Sequence, residues 1–362
     1  MRLIQSGLKS WTMNLKELAH TLGLSPTTVS RALNGYPEVA EATRERVQSA
    51  ARKHNYQPNA RAQRLATGRA MAIGHVIPVS DRHEMVNPVF ADFVSGAGEA
   101  YLRHGYDMVL SLVADRDQED VYRDLASKGS VDGIIVHAPR LDDRRIALLH
   151  DLGLPFVVHG RASNVDQPYN WVDVNNRRAF ERATAFLLDL GHRRIGLVNG
   201  LDLMDFAERR REGYIAALRA RDVPSDPRLI AGEEMTEMHG YRSAMAMLAL
   251  DQPATAFVTS SLIVAIGVRR AVEEHGLKLG RDVSLVTHDD DLSYLRNGAE
   301  LPIFTAVRSS VRHAGRLCAE MLIEAIRDGA RGERHTLLEA DLMVGTSTGP
   351  APTGPAPTKG HP

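Results

Sequence analysis

Between Met71 and Val344, apolar and polar positions follow two rhythms: short apolar runs of strand length, and longer stretches with a helical repeat. AIGHVI, DMVLSLV, DGIIVH and PFVVHG read as strands in the first half of this region. RIGLVNG, RLIAG, ATAFVTS, VSLVTH and FTAVR do so in the second. Amphipathic segments at 90–103, 121–128, 207–220, 240–250, 263–275 and 312–327 read as helices. Strands alternating with helices predict parallel sheets covered on both faces. About ten such units exceed one typical open sheet, so two lobes are expected.

The first seventy residues carry only the helical rhythm. In LKELAHTLGLSPTTVSRALN (15–34), Leu15, Leu18 and Leu22 at i, i+3 and i+7 give a first helix one apolar face. Ala19, Gly23 and Val29 supply the small residue, the turn and the apolar contact of two crossed helices, and Gly23 can take the positive φ of that turn. Ser25 is a good N-cap and Pro26 a good first residue for a second helix. Thr27, Thr28, Ser30, Arg31 and Asn34 on that helix are short donors and a long cation, suited to base edges and phosphates. Pro26, Thr27 and Arg31 are expected to face base edges, with Thr12 and Leu15 counted among the DNA-facing residues. An ordinary helical hairpin is the competing reading, and the neighbouring segments weigh against it. Residues 39–56 form a third amphipathic helix with Val39, Thr43, Val47, Ala50 and Ala51 inward. Gln57, Pro58 and Asn59 break it. The following 60–66 allows barely two helical turns, which are marginal alone in water. Arg61, Arg64 and Arg69 around Leu65 argue against a plain linker.

Charge divides the chain in the same place. Residues 1–69 hold eleven Lys/Arg against four acids, an excess of seven positive charges hidden inside a net charge of −1. A basic head on an acidic body points to a nucleic-acid-binding end. The 362 residues, 43% hydrophobic and 25% charged, suit a soluble globular protein of two or three domains. Cys318 is the single cysteine, which excludes an intramolecular disulfide and suits a reducing cytoplasm. No apolar run reaches the ~20 residues of a membrane span, so no membrane partner is expected. Residues 1–12 lack a signal peptide's apolar core, and Met1 and Met13 are both candidate starts. The tail repeats GPAPT, a composition expected to be disordered over 346–362.

TVSRALNGYPEVAEATRERV followed by NYQPNARAQRLA resembles the lactose/galactose repressor family, and the resemblance runs essentially from Met13 to Val344. It implies an α/β protein with an N-terminal all-α helix-turn-helix domain and a periplasmic-binding-protein-like body of two Rossmann-like lobes. The implied divisions are an extension at 1–12, the DNA-binding domain at 13–57, a hinge at 58–69, the effector and dimerisation body at 70–345 and the tail. In that family the hinge helix orders on operator DNA and pushes a leucine into the minor groove. Leu65 takes that position here, and Asn59 and Ala62 match the Asn-x-x-Ala-x-x-Leu spacing, with Arg61 between them. The chain would cross between lobes near 171–174, 302–305 and 328–335. NGYPEV, QRLATG, VHGR and SSL resemble the wording of regulators of alpha-glucoside uptake operons in alphaproteobacteria.

Effector chemistry is expected at the carboxyl ends of the strands, between the lobes. A sugar needs carboxylate and guanidinium contacts plus apolar or aromatic faces. Arg210 matches the family's Arg-x-x-Gly-Tyr/Phe motif, and Asp289 matches the strand-end carboxylate of Val-x-Gly-(Tyr/Phe)-Asp-Asp. Arg161 closes another strand, and Asn87 and Phe90 begin the first body helix. His137, Trp171, Phe206 and Ser261 complete the candidate set. Ser261 and Leu262 stand where the family commonly has Asn-Asp, and Thr287 and His288 where it has Gly-Tyr or Gly-Phe. None of GxGxxG, GxxxxGK[ST] and HExxH occurs, so no catalytic or metal site and no cofactor are expected. The reading is a cytoplasmic, homodimeric transcriptional repressor bound to pseudo-palindromic operator DNA and controlled by a small carbohydrate, narrowed by resemblance to an alpha-glucoside. An activator or dual regulator, or a transporter's solute-binding protein, are the alternatives.

Overall fold

The computed structural model describes residues 13–33, 35–54, 56, 68–78, 88–113, 118–329 and 332–353. The chain divides into two compact units, Met1–Ala70 and Met71–Pro362. In the first, α1 (Leu15–Leu22), α2 (Pro26–Leu33) and α3 (Glu41–Lys53) close a small core of Leu18, Ala19, Val29, Ala32, Val39, Val47 and Ala51. Local chemistry sets the helix ends. Asn14 and Glu17 form a reciprocal capping box at the start of α1, and Gly23 at φ 64° ends it in the left-handed region. The expected third helix is shorter than 39–56, and Val39 is buried from the turn before it.

The body holds two sheets. The near-lobe strands are β1 (Ala72–Pro78), β2 (Asp107–Val113), β3 (Gly133–His137), β4 (Phe156–His159), β5 (Asn170–Val174) and β11 (His335–Leu338). They lie in the order β11-β5-β4-β3-β1-β2, all parallel. The far-lobe strands are β6 (Ile195–Asn199), β7 (Ile230–Gly232), β8 (Ala256–Thr259), β9 (Ser284–Asp289), β10 (Thr305–Arg308) and β12 (Asp341–Met343). Their order, β12-β10-β9-β8-β6-β7, repeats the pattern, with β12 antiparallel to β10. In both sheets the order reverses beside the first strand, and crevices for ligands open at such switch points.

Helices α4 (Pro88–His104), α5 (Gln118–Ser127), α6 (Arg144–Asp151) and α11 (Val311–Asp328) belong to the near lobe. The far lobe has α7 (Asn176–Asp189), α8 (Asp205–Arg219), α9 (Glu237–Leu248) and α10 (Leu262–Glu274). A Cβ on Gly96 would lie 1.9 Å from the Arg312 carbonyl, and one on Gly315 2.1 Å from that of Phe93. Glycine therefore lets α4 and α11 touch backbone to backbone, which brings both N-terminal ends to the same edge of the near sheet. Phe93, Ile135, Val157 and Leu322 lie in the near-lobe core; Phe257, Val268 and Leu285 lie on one face of the far sheet and Phe180, Leu197 and Tyr214 on the other.

The chain crosses between lobes three times among the described residues, but not where the sequence reading put the crossings. Residues 171–174 are β5 itself, and the crossing follows at 174–176. Residues 302–305 lead into β10, still in the far sheet, and the chain leaves after Arg308. Residues 328–335 lead into β11 of the near sheet, and the last crossing lies between Leu338 and Asp341. NWVDV, HTLL and DLM are short and half polar, so their apolar pattern did not separate them from connectors. The expected disorder of 346–362 is also corrected for 346–353. Ser347 Oγ accepts from Thr305 N at 2.9 Å and donates to the Leu285 carbonyl, and Ala351 N donates to the Leu190 carbonyl at 2.8 Å. Backbone pairing to the far lobe holds this segment despite its composition.

Candidate functional site

The N-terminal unit presents the second helix of its pair. Ser25 Oγ accepts from Thr28 N at 3.0 Å and caps α2, while Val29 and Ala32 bury one face. Pro26, Thr27 and Arg31 lie on the exposed face. Arg31 is 3.9 Å from Glu38, a loose surface pair that leaves the guanidinium able to reach a nucleic acid. Thr28 is half buried with its hydroxyl 2.8 Å from that of Ser25, so it serves the cap. Ser30 is half buried, and Leu15 packs against the three-helix core instead of standing free. Thr12, Asn34, Asn59, Arg61, Ala62 and Leu65 lie outside the described residues, as does Asn87 in the body.

Between the lobes lies a cleft of about 260 Å³, near the lower end of the ~300–1,000 Å³ usual for small-molecule sites. Its near wall is built from strand ends and the start of α4: His137 and Ala138 after β3, His159 to Arg161 after β4, and Phe90 and Phe93. His75 lies beneath, with Nδ1 2.9 Å from His137 Nε2 and Nε2 2.7 Å from the Tyr101 hydroxyl. Burial lowers the pKa of His75 and His159 to about 4, and that of His137 well below its ordinary value, so all three are neutral at pH 7. Ala138 sits at φ 43°, a strained conformation for a residue with a Cβ. Arg145 Nη2 holds the His137 and Ala138 carbonyls at 3.0 and 3.3 Å, and is itself paired with buried Asp143.

The far wall is polar. Arg210, from the second turn of α8, donates from Nε to Asn176 Oδ1 at 2.8 Å and from Nη1 to the Ser260 carbonyl at 2.9 Å. Its guanidinium lies 5.0 and 4.8 Å from the ring centroids of Phe180 and Phe206. Nη2 has no acceptor among the described residues and can serve a ligand. Burial lowers the Arg210 pKa to about 10, and it stays charged at neutral pH. Asp290 pairs with His288, Oδ1 to Nε2 at 3.2 Å. Burial pushes its pKa up, but His288, Arg210 and His159 together hold the carboxyl below its usual range. Asp173 is raised by burial, against the opposing pull of Arg161 at 2.7 Å. Two guanidiniums against two carboxylates leave the cleft electrically balanced, a setting for an uncharged ligand rich in hydroxyls.

The lobes also meet beside the cleft. Asp205 at the start of α8 donates its N–H to the Pro139 carbonyl at 3.1 Å, and its carboxylate accepts from the backbone and hydroxyl of Ser163. Asp92 on α4 accepts from Ser293 N and Oγ at 2.8 and 2.7 Å.

Phe90, His137, Arg161, Phe206 and Arg210 are thus brought to one cleft, while three other candidates are not. Asp289 is buried, accepting from Arg308 Nη2 at 3.0 Å and Asp291 N at 2.9 Å. His288 and Asp290 face the cleft because side chains alternate along an extended chain, and a one-residue shift changes the face. Ser261 caps α10 through Val264 N, and Trp171 stacks on His335 at 4.7 Å. His159, Asp173, Asn176 and Ser260 were missed as cleft residues, and His288 and Asp290 were read as part of a strand-end cleft loop but not chosen as effector contacts. The strand-end position of His159 and the alternation through HDDD were the available signals. Nothing local marks Asp173 or Asn176.

Residues 14–59 match the lacI family of bacterial regulatory proteins, and residues 184–348 match a periplasmic binding protein-like domain. The chain is similar to the HTH-type transcriptional regulator AglR of Rhizobium meliloti (strain 1021), with 44% identity over 94% of this chain and 95% of that one. It is 34% identical to the HTH-type transcriptional regulator RafR of Escherichia coli, over 94% of this chain and 100% of the relative. The solved complex of the transcriptional regulator CelR with cellobiose superposes with a TM-score of 0.70 at 27% identity, covering 92% of this chain and 99% of that one.

Proposed function

Because this chain belongs to the lacI family of bacterial regulatory proteins and is therefore a DNA-binding transcriptional regulator, we propose that it is a homodimeric repressor whose operator affinity is set by a small neutral carbohydrate held between the lobes. Arg210 carries the effector half of this reading. It is a buried cation with two nitrogens fixed by protein and one left for a ligand, opposite a wall of rings. Sugar hydroxyls accept from a guanidinium and donate to the Asp290 carboxylate, and the apolar face of a pyranose stacks on aromatic rings. The CelR structure, similar in fold, holds a disaccharide. An alpha-linked glucoside is the narrower proposal and rests on the shared sequence wording.

In the DNA half, two copies place two α2 helices in successive major grooves of a pseudo-palindrome. Pro26 and Thr27 read base edges, and Arg31 reaches a base edge or a phosphate. Cleft occupancy shifts the lobes and is coupled to operator affinity by the ~1–3 kcal/mol typical of allosteric links. The cytoplasm is the proposed compartment, and no helix among the described residues is long and apolar enough to cross a membrane. The test is a thermal-shift screen of the full chain with maltose, sucrose and trehalose against cellobiose, ribose 5-phosphate and adenosine. Saturation at a hundred times the dissociation constant adds ~2.7 kcal/mol of apparent stability. A shift with alpha-linked glucosides supports the reading; a shift with the phosphate or nucleoside alone replaces it.

A further inference from the structure

A chain of buried polar groups crosses from one lobe to the other at the first interlobe crossing. It begins at Trp171, over whose ring the Arg161 guanidinium lies at 4.9 Å. Arg161 Nε donates to Asp173 Oδ2 at 2.7 Å. Asn176 Nδ2 donates to Asp173 Oδ1 at 3.2 Å and to the Val174 carbonyl at 3.0 Å, and Asn176 Oδ1 accepts from Arg210 Nε at 2.8 Å. Asp173 ends the near-lobe part of the path, and Asn176 is the first residue of α7 in the far lobe. Asp173, Asn176 and Arg210 are 4, 4 and 7% exposed, so water does not substitute for these contacts.

The partners dictate the residue type at 176. Arginine can only donate and an ionised aspartate can only accept, so the side chain between them must accept on one side and donate on the other. Asparagine does both; aspartate satisfies Arg210 but turns a second acceptor toward Asp173. We propose that Asn176 is a positioning residue for effector recognition: it orients Arg210 and ties it through Asp173 to Arg161, so that a ligand held by Arg210 is felt in the opposite lobe. This rests on the carbohydrate reading of the cleft for the ligand's identity, but not for the relay itself.

The test uses the full chain carrying Trp11→Phe, which leaves Trp171 as its single tryptophan. Maltose, sucrose and trehalose are titrated by calorimetry and by Trp171 fluorescence. Asn176→Ala removes the acceptor of a buried charged donor and weakens sugar affinity about tenfold or more. Asn176→Asp keeps that acceptor and loses the donor, so affinity stays within about fivefold while the Trp171 response disappears. An intact Trp171 response in Asn176→Asp means that the ligand acts on Arg161 directly and overturns the relay. Wild-type affinity in Asn176→Ala overturns the positioning role. A sugar-free arm follows the Arg210 Nε–H resonance: Asp173→Asn, which does not touch Arg210, shifts it if the relay is continuous, and an unmoved resonance overturns it. Absence of any sugar response in the wild-type chain, with the resonance shifted, counts against the carbohydrate reading alone.

Discussion

In the near-lobe sheet, the strand ends at the cleft carry buried His137 and half-buried His159, backed by buried His75, Phe93 and Tyr101, and all of them are uncharged at neutral pH. In the far-lobe sheet, the same edge carries Ser260, His288 and Asp290, with Arg210 leaning over them from α8. The two sheets repeat one strand order, so topology explains why both point their carboxyl edges at a common crevice. It does not explain why the near wall offers mostly rings, with the Arg161–Asp173 pair beside them, and the far wall offers Arg210, His288 and Asp290 beside Phe206. That difference comes from single residues at strand ends, and it suits the proposed ligand, with an apolar face and a hydroxyl edge.

The largest expected effect tests whether the charged wall supplies most of the affinity. Arg210→Ala should weaken sugar binding about a hundredfold, whereas Phe90→Ala on the ring wall should cost about tenfold. Calorimetry giving equal losses would remove the asymmetry. Acid should then act on the near wall first. Unfolded histidine takes up a proton near its ordinary value of 6.5, whereas folded His75 and His159 resist until about 4. Stability is therefore full above pH 6.5 and falls as the pH drops toward 4, by about 2 kcal/mol per histidine at pH 5. His192 and His239 in the far lobe are also lowered by burial and add to the slope. Hydrogen exchange at pH 5 should show near-lobe amides losing protection before far-lobe ones; simultaneous loss would mean the three-histidine cluster is not the weak point.

Smaller effects separate the neighbouring carboxylates. Asp290→Asn should reduce sugar affinity about tenfold with little change in melting temperature. Asp289→Asn should leave affinity within about twofold, because its oxygens are spent on Arg308 and Asp291, and cost about 1 kcal/mol of stability. Reversed outcomes in paired calorimetry and thermal melts would return the cleft role to Asp289.

The chain alone determined what depends on near neighbours. The left-handed Gly23, Ser25 before Pro26 and the buried stripe through Leu18, Ala19 and Val29 all act within a few residues, so the second helix and its exposed face were readable directly. The strand-helix alternation was readable for the same reason, and Phe90, His137, Arg161, Phe206 and Arg210 followed from strand-end and helix-start positions or from the family resemblance. Contacts between distant segments were decided only by the tertiary structure. Short β5, β11 and β12 exist because a neighbouring strand pairs with them, and 346–353 is held by Thr305, Leu285 and Leu190 against its own composition. Which of Asp289 and Asp290 lines the cleft depends on the face the chain turns inward at the end of β9. The path from Arg161 through Asp173 and Asn176 to Arg210 joins residues up to forty-nine positions apart. Periodicity and capping report a residue's own turn or strand; they carry no information about which far segment folding brings to its side.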